Sequence, residues 1–246
     1  MRSRILIYTF IIAACFIGCK RNNNTDNEKK INIQFGDNHD MIKKPITEIQ
    51  QMLRENKAKI QNGDLIMRSD DGLESESLRS FSKTDDSFSH CGLAFLEDGD
   101  IYVYHNMAGK ENVTEQLMRQ PFDSFVNINQ KTGFGLFRYN LTPDEIQRLQ
   151  AISKDNFAKG LKFDKNFDLK TDDKMYCAEM IYKFIKQATN NRVILPTTTI
   201  QNFRVKDPRY KGLVLKEFEY VALDNLFINP YCTELGRIAY YVPKDK

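Results

Sequence analysis

Apolar residues recur at helical intervals in some parts of the chain and at alternate positions in others. After Pro45 the helical interval extends over residues 45 to 61, which predicts a first helix. Thr142, Pro143 and Glu145 form a capping box that predicts a second helix, ending near residue 159. Further helical turns are predicted near 114 to 126, and strands at 65 to 67, 90 to 96 and 101 to 107 and in GFGLFRY, VLKEFEYVAL and GRIAYYV. Mostly antiparallel strand neighbours among helices predict an α+β fold.

The strongest apolar stripe lies in MYCAEMIYKFIKQA, residues 175 to 188, which predicts a third helix with a cysteine at its start. Cys177 lies in line with this stripe, so it can be a core residue. Asp172 and Asp173 precede it as candidate caps, which would place Cys177 in or near the first turn. Free N–H groups and the helix dipole lower the pKa of a thiol there and can hold an oxyanion. Core filling and nucleophilic chemistry both remain open.

His90 and His105 lie on the two predicted strands of one hairpin. Folding the chain about Asp98 and Gly99 places the two histidines within side-chain reach of each other. Two imidazoles beside a helix start would form a set of nucleophile, base and orienting residue. Two unrelated, partly buried histidines are the alternative. Cys91 is expected to point away from His90 into the core, because strand side chains alternate.

Residues 1 to 18 form a predicted lipoprotein signal peptide. Two arginines precede an apolar run from residue 5 to residue 17, which is too short to span a bilayer. The run ends in FIGC, which resembles the bacterial lipobox with Phe16 in the place of the usual leucine. That resemblance implies cleavage before Cys19 and attachment of lipid to Cys19. An ordinary signal peptide cut elsewhere and an uncleaved anchor are the alternatives.

Residues 19 to 41 are polar and charged, which predicts a flexible tether. Residues 42 to 246 are enough for one sizeable domain. Loss of Arg2 and Arg4 with the signal would lower the formal charge from +3 to +1, and a nearly neutral protein is not expected to bind nucleic acid. We therefore expect a protein of the bacterial cell envelope, lipid-anchored to a membrane on its extracytoplasmic side.

Three cysteines would remain besides the anchor, and three is an odd number. Cys91, Cys177 and Cys232 leave at least one thiol unpaired outside the cytoplasm, which makes a reactive thiol a candidate. Three reduced, buried thiols are the alternative, and a pair between Cys91 and Cys232 stays open. The chain has three histidines and no Cys-x-x-Cys pair, so we predict no metal site and no cofactor.

Four stretches of the chain together resemble a known family. In order they are GDLIMRS, SHCGLAFL, IYVYHN and FDKNFDLKTDDKMYCAEMIYKF. They are similar to the permuted papain-like amidases of the YiiX/YaeF type, relatives of the NlpC cell-wall peptidases with the chain order rearranged. SHCG and YCAE are the most specific pieces, and the resemblance covers roughly residues 60 to 190. It implies a circularly permuted papain-like fold, with a mostly antiparallel sheet packed against helices and the nucleophile at a helix N-terminus.

The resemblance also implies roles for single residues. Cys177 would be the nucleophile, His90 the general base and His105 the residue that orients the base, where relatives often have glutamate. Tyr176 would either contribute its hydroxyl near the oxyanion or only pack. Glu179 is expected on the polar surface, paired with Lys183 one turn later.

These features predict a membrane-tethered cysteine hydrolase, an amidase or peptidase that forms an acyl-enzyme on an envelope amide. The expected substrate is a small amide or peptide, by family analogy a peptidoglycan-derived one. A lipid-directed acyltransferase or thioesterase is an alternative, because the lecithin:retinol acyltransferase-like proteins share the permuted fold and use a second histidine, as His105 would be. A binding lipoprotein without turnover is the alternative from another class.

Overall fold

The structure is a computed structural model that describes residues 41–70, 78–109, 111–204 and 214–243. The predicted signal peptide, Cys19 and the tether up to residue 40 lie outside the described residues. The helices are α1 (Ile46–Lys57), α2 (Phe122–Phe125), α3 (Pro143–Lys159) and α4 (Cys177–Ala188), with a 3₁₀ turn at Asp224–Leu226. The strands are β1 (Met41–Lys43), β2 (Asp64–Ser69), β3 (His90–Glu97), β4 (Asp100–His105), β5 (Met118–Pro121), β6 (Gly133–Tyr139), β7 (Thr198–Arg204), β8 (Val214–Tyr220), β9 (Cys232–Ala239) and β10 (Tyr241–Pro243).

Six strands form the main sheet, in the order β5-β4-β3-β2-β6-β9. Every neighbouring pair in it is antiparallel, and so are the two small ribbons β1-β10 and β7-β8. The protein is therefore a mixed α+β fold built on antiparallel sheets, as the sequence predicts. Within the described ranges no helix has the length and apolar character needed to cross a membrane.

The main sheet has a core on each face. On one face Cys91 and Leu93 of β3 pack in the same cluster as the apolar side of α4. On the other face Ala94 and Val103 pack with α2 and its surroundings. His90 precedes Cys91, so its side chain leaves the strand on the α2 side of the sheet. The β3-β4 hairpin thus presents one thiol to α4 and one imidazole to the opposite core.

Helix α3 begins where its capping box predicts. The Thr142 hydroxyl accepts from the Glu145 backbone N–H at 3.3 Å, and the Glu145 carboxylate accepts from the Thr142 N–H at 2.8 Å. The helix ends at Gly160, whose left-handed φ of 68° suits glycine. The hairpin turn is also confirmed, with Asp98 and Gly99 at φ 52° and 90° between β3 and β4.

Of the helix or helical turns predicted near 114 to 126, only one turn is confirmed. The chain there forms β5, which pairs with β4 at the sheet edge, and only the single turn α2 follows. Pro121 explains the change, because it ends β5 and precedes the first residue of α2. The short strands β1 and β7 were not predicted either, and they pair with β10 and β8.

Candidate active site

His90 and His105 are hydrogen-bonded to each other. His90 Nε2 lies 2.9 Å from His105 Nδ1, and His105 Nε2 lies 3.1 Å from the side-chain oxygen of Gln120 on β5. The Gln120 oxygen can only accept, so His105 carries its proton on Nε2 and its bare Nδ1 accepts from His90 Nε2–H. The chain of hydrogen bonds therefore leaves the lone pair of His90 on Nδ1. That atom is the free base of the pair.

Gly92 makes room for this contact. A Cβ placed on Gly92 would lie 2.5 Å from Val103 Cγ1, 2.9 Å from the Tyr104 carbonyl oxygen and 3.0 Å from His105 Cβ. The glycine therefore allows β4 to bring His105 over the strand that carries His90. This is a packing reason for the glycine of the SHCG stretch, two residues after the histidine.

Both imidazoles are buried and stay neutral near pH 7. Burial is the main cause that lowers the pKa of His105 to about 3, and Arg68 adds to it. Burial also lowers the pKa of His90 well below its usual range, followed by the charges of Arg68, His105 and Lys131. A neutral imidazole has a free lone pair, so His90 can take a proton. The same cations make the resulting imidazolium costly.

Cys177 is the first residue of α4. The neighbouring Cys91 thiol is the largest cause that lowers the pKa of Cys177, and the N–H groups of Ala178 and Cys177 and the charge of Arg68 act in the same direction against burial. Burial raises the pKa of Cys91 well above normal, and that of Cys232 to about 12. Of the three cysteines that the structure describes, Cys177 is therefore the one that favours a thiolate.

In the structure His90 lies against His105, and Cys177 lies against Cys91. Among the described residues, no hydrogen bond joins the histidine pair to the cysteine pair. Across the described ranges, no hydrogen bond joins Cys177 to His90, and His90 Nδ1 has no partner. His90 and Cys177 retain 6% and 5% exposure, whereas Cys91 and His105 have none. Each pair therefore contains one residue with slight exposure, His90 in one pair and Cys177 in the other.

Tyr176 packs, and its hydroxyl is occupied. The ring stacks on Phe167 with centroids 4.5 Å apart, and the hydroxyl accepts from the Val221 backbone N–H at 2.7 Å. This leaves the backbone N–H groups of Cys177 and Ala178 as the donors beside the sulfur. Tyr176 is also the N-cap of α4, so the expected caps Asp172 and Asp173 do not have that role.

Glu179 is buried, contrary to the prediction that it lies on the polar surface. Its carboxylate accepts from the Tyr176 backbone N–H at 3.1 Å and pairs with Lys183 at 2.9 Å. It thereby closes the start of α4, and burial raises its pKa to about 8. The signal was available in the sequence, because glutamate three residues after a helix cap is the capping-box position.

Asn106 is a residue that the sequence analysis missed. It follows His105 at the end of β4 and is fully buried. Its side-chain N–H₂ group donates to the carbonyls of Lys162 and Met175 at 3.1 and 2.8 Å. Asn106 thus ties the strand that carries His105 to the segment that leads into Cys177.

A cluster of buried charges, also missed, surrounds the histidine pair. Arg68 pairs with His90 in the β2-β3 register, and its guanidinium lies 4.5 Å from the Phe125 ring centre. The same ring packs against both imidazoles, at centroid distances of 5.7 Å to His90 and 4.9 Å to His105. The signal was a charged residue within an otherwise apolar strand, which usually marks a paired or functional charge.

Comparison with known proteins gives a fold and no family. No protein-family model matches the chain, and no curated protein matches it in sequence. Among solved structures, the fold is similar to the crystal structure of the metalloprotein yiiX from Escherichia coli O157:H7, DUF1105, with a TM-score of 0.57. The two chains are 20% identical over 73% of this chain and 98% of the other. This likeness establishes the shared fold.

The neighbour is described as a metalloprotein, which raises the question of whether this chain has side chains that could form a comparable site. Within the ranges that the structure describes, no group of three or more histidine, cysteine, aspartate or glutamate side chains could hold a metal ion. The donor set of the described residues therefore does not fit a metal.

Proposed function

We propose that this protein is a thiol hydrolase with a permuted papain-like arrangement, which cleaves an amide through an acyl-enzyme. The observation that carries the proposal is the directed hydrogen-bond chain from Gln120 through His105 to His90, which leaves His90 Nδ1 as a free base. The thiol with a lowered pKa begins α4, and it follows the base in chain order. The likeness to yiiX supports the fold that this arrangement needs.

The chemical steps follow from these atoms. His90 Nδ1 takes the proton of Cys177 Sγ, and the sulfur attacks the carbonyl carbon while the carbonyl electron pair moves to oxygen. The N–H groups of Cys177 and Ala178 hold this oxyanion. The carbon–nitrogen bond then breaks, and His90 returns the proton to the leaving amine. Water, deprotonated by His90, cleaves the thioester and restores the thiol.

The first transfer requires that Cys177 and His90 come into contact. Catalytic hydrogen bonds often tighten only when substrate binds. In the free protein the His90 ring packs on Phe125 of α2, and Cys177 lies in the core on the other face of the sheet, so the two residues must approach each other around the end of β3. Arg68 acts in opposite directions on the two partners, since its charge favours the thiolate and disfavours the imidazolium that the transfer forms.

The remainder of the proposal concerns location and substrate. Residues 1 to 18 would be removed, Cys19 would carry lipid, and residues 19 to 41 would tether the domain at 42 to 246 to an envelope membrane. Envelope amides, including peptidoglycan-derived peptides, are the substrates that such a location offers.

The pH dependence of alkylation at each thiol tests the proposed function. In the purified protein we expect Cys177 to react fastest near neutral pH, read by peptide mass spectrometry, with Cys232 as an internal control. His90→Ala should slow Cys177 by about a hundredfold, the usual contribution of a positioned base. Equal rates at Cys177 and Cys232, or no effect of His90→Ala, would support the core-filling and binding interpretations instead.

Acyl transfer to a lipid is a second candidate, favoured by the histidine at position 105 in the orienting place. It uses the same acyl-enzyme and differs only in the acceptor. If the acyl-enzyme formed from a vesicle lipid releases a free acid, hydrolysis is the reaction. If it releases an acylated amine or alcohol, transfer is the reaction.

A further inference from the structure

Two buried cations lie beside the histidine pair, and one half-exposed carboxylate bridges them. Arg68 and Lys131 are 1% and 3% exposed. Glu111 Oε2 accepts from Arg68 Nη2 at 3.3 Å, and Glu111 Oε1 accepts from Lys131 Nζ at 3.0 Å. The side chain of Glu111 is half exposed. The position of the Glu111 carboxylate, between the two buried cations, is therefore next to the protein surface.

The cluster is electrically balanced only while Glu111 stays in place. Asp70 pairs with Lys131 at 3.1 Å, so two carboxylates balance two cations. The histidines beside them stay uncharged near pH 7 and add nothing. Removal of Glu111 would leave one buried positive charge without a partner, which is strongly unfavourable. A different anion must then take its place.

Arg68 also retains unused donor capacity. Its Nη1 donates to the Phe125 carbonyl at 3.0 Å and its Nη2 faces Glu111, whereas Nε has no partner among the described residues. A carboxylate matches the planar fork of a guanidinium better than a single point charge does. The group that bridges the two cations among the described residues, Glu111, is itself a carboxylate.

We propose that Arg68 and Lys131 form a carboxylate-binding subsite, that Glu111 fills it in the free protein, and that a carboxylate of the substrate replaces Glu111. The inference rests on the proposed function and names its substrate class, an amide with a carboxylate close to the scissile bond. Arg68 lies in register with His90, and the Phe125 ring packs against both the Arg68 guanidinium and the two imidazoles, which places the subsite beside the histidine pair.

Chemical rescue tests the subsite itself. We expect Glu111→Ala to lower the melting temperature of the protein, and acetate to restore it at constant ionic strength, whereas chloride does not. Wild type should show no such acetate effect, because Glu111 already occupies the site. Glu111→Ala combined with Lys131→Met leaves Arg68 balanced by Asp70, so acetate should have no effect on the double variant.

Several outcomes would overturn the subsite. One is an equal acetate effect in wild type and in both variants, and another is no acetate effect in Glu111→Ala. Where Glu111→Ala does not fold, Glu111→Gln replaces it, because the amide keeps the shape and removes the charge. Acetate should then raise the melting temperature of Glu111→Gln and leave that of wild type unchanged.

A pair of alkylating reagents tests the position of the subsite. Iodoacetate carries a carboxylate where iodoacetamide carries an amide, so the ratio of their rates at Cys177 reports attraction by the cations. We expect Glu111→Ala to raise this ratio about tenfold, as one added unit charge nearby would, and the double variant to return it toward wild type. The ratio at Cys232 in the same sample should stay constant.

The two tests separate failure of the subsite from failure of the proposed function. If Cys177 reacts slowly with both reagents while acetate still stabilises Glu111→Ala, the anion site stands and the hydrolase proposal fails. If Cys177 reacts fast but its rate ratio does not change among the variants, the cations do not face the reacting thiol, and the inference is overturned.

Discussion

Two hydrogen bonds in series join His90 to His105 and His105 to Gln120. Because the amide oxygen of Gln120 only accepts, each imidazole is held in one tautomer, and His90 Nδ1 is left bare. A histidine in the orienting place stabilises an imidazolium less than a carboxylate would. On the thiol side, the neighbouring Cys91, the N–H groups at the start of α4 and the charge of Arg68 lower the pKa of Cys177.

A substitution at Gln120 tests whether this residue fixes the tautomers of the two histidines. Gln120 lies on an edge strand, where a substitution should disturb the fold little. Gln120→Ala should slow alkylation of Cys177 about tenfold, because it removes about one hydrogen bond's worth of free energy from the favoured tautomer. Gln120→Glu keeps an acceptor and should retain most of the rate. Equal rates in wild type and Gln120→Ala would show that the tautomer is set by another group.

Gly92 should tolerate no side chain. Gly92→Ala brings a Cβ to 2.5 Å from Val103 Cγ1 and 2.9 Å from the Tyr104 carbonyl oxygen, so the hairpin must shift. We expect a loss of about 1–3 kcal/mol in the free energy of unfolding, measured by urea denaturation. Gly99→Asn is the control, since the turn position is open and asparagine accepts its positive φ. A loss no larger than that of the control would contradict the packing argument.

At the scale of elements, α4 positions the thiol and carries its own reciprocal cap. Glu179 accepts from the Tyr176 N–H and lies buried under the first turn, next to Lys183. The first turn therefore stays ordered without the upstream aspartates, and its N–H groups face the sulfur. Asn106 fixes the approach of this element by holding the Met175 carbonyl from the end of β4.

The raised pKa of Glu179 makes α4 sensitive to pH. Burial raises this pKa from its usual value to about 8, so the folded protein keeps a proton that the unfolded chain has lost. The stability that Glu179 contributes is complete below its unfolded pKa and is lost as pH rises through about 8. The urea midpoint of Glu179→Gln minus that of wild type should therefore be larger at pH 9 than at pH 5. A pH-independent difference would show that Lys183 keeps Glu179 ionised.

At the scale of the whole molecule, the β3-β4 hairpin links two cores. Its thiol faces the cluster around α4, and its imidazoles face the cluster around α2 and the buried cations. The candidate active site therefore lies where one end of the sheet joins both layers. The proposed lipid anchor would hold this site close to a membrane.

Membrane attachment tests the proposed lipid anchor at Cys19. Cys19→Ser should prevent lipid attachment, so that the protein moves from the detergent phase to the aqueous phase when Triton X-114 separates. Cys15→Ser is the matched control, because Cys15 lies inside the predicted signal peptide, and it should leave the partition unchanged. Detergent-phase recovery of Cys19→Ser would favour an uncleaved anchor.

The features that local sequence determines are those with neighbours close along the chain. The capping box of α3, the hairpin turn and the apolar stripe of α4 were all predictable, because each depends on residues within one or two turns. The contact between His90 and His105 was predictable for the same reason, since a hairpin pairs its own two strands in a register that its turn sets.

Tertiary structure alone decided which groups surround those histidines. Arg68, Glu111 and Lys131 come from three separate segments, and no periodicity links them. The pairing of Cys177 with Cys91, and the absence of a hydrogen bond from Cys177 to His90 among the described residues, depend on how α4 packs on the sheet. Burying a charge is unfavourable unless an opposite charge or a hydrogen-bond partner lies beside it, and here those partners come from distant segments. A short-range sequence pattern therefore cannot predict them.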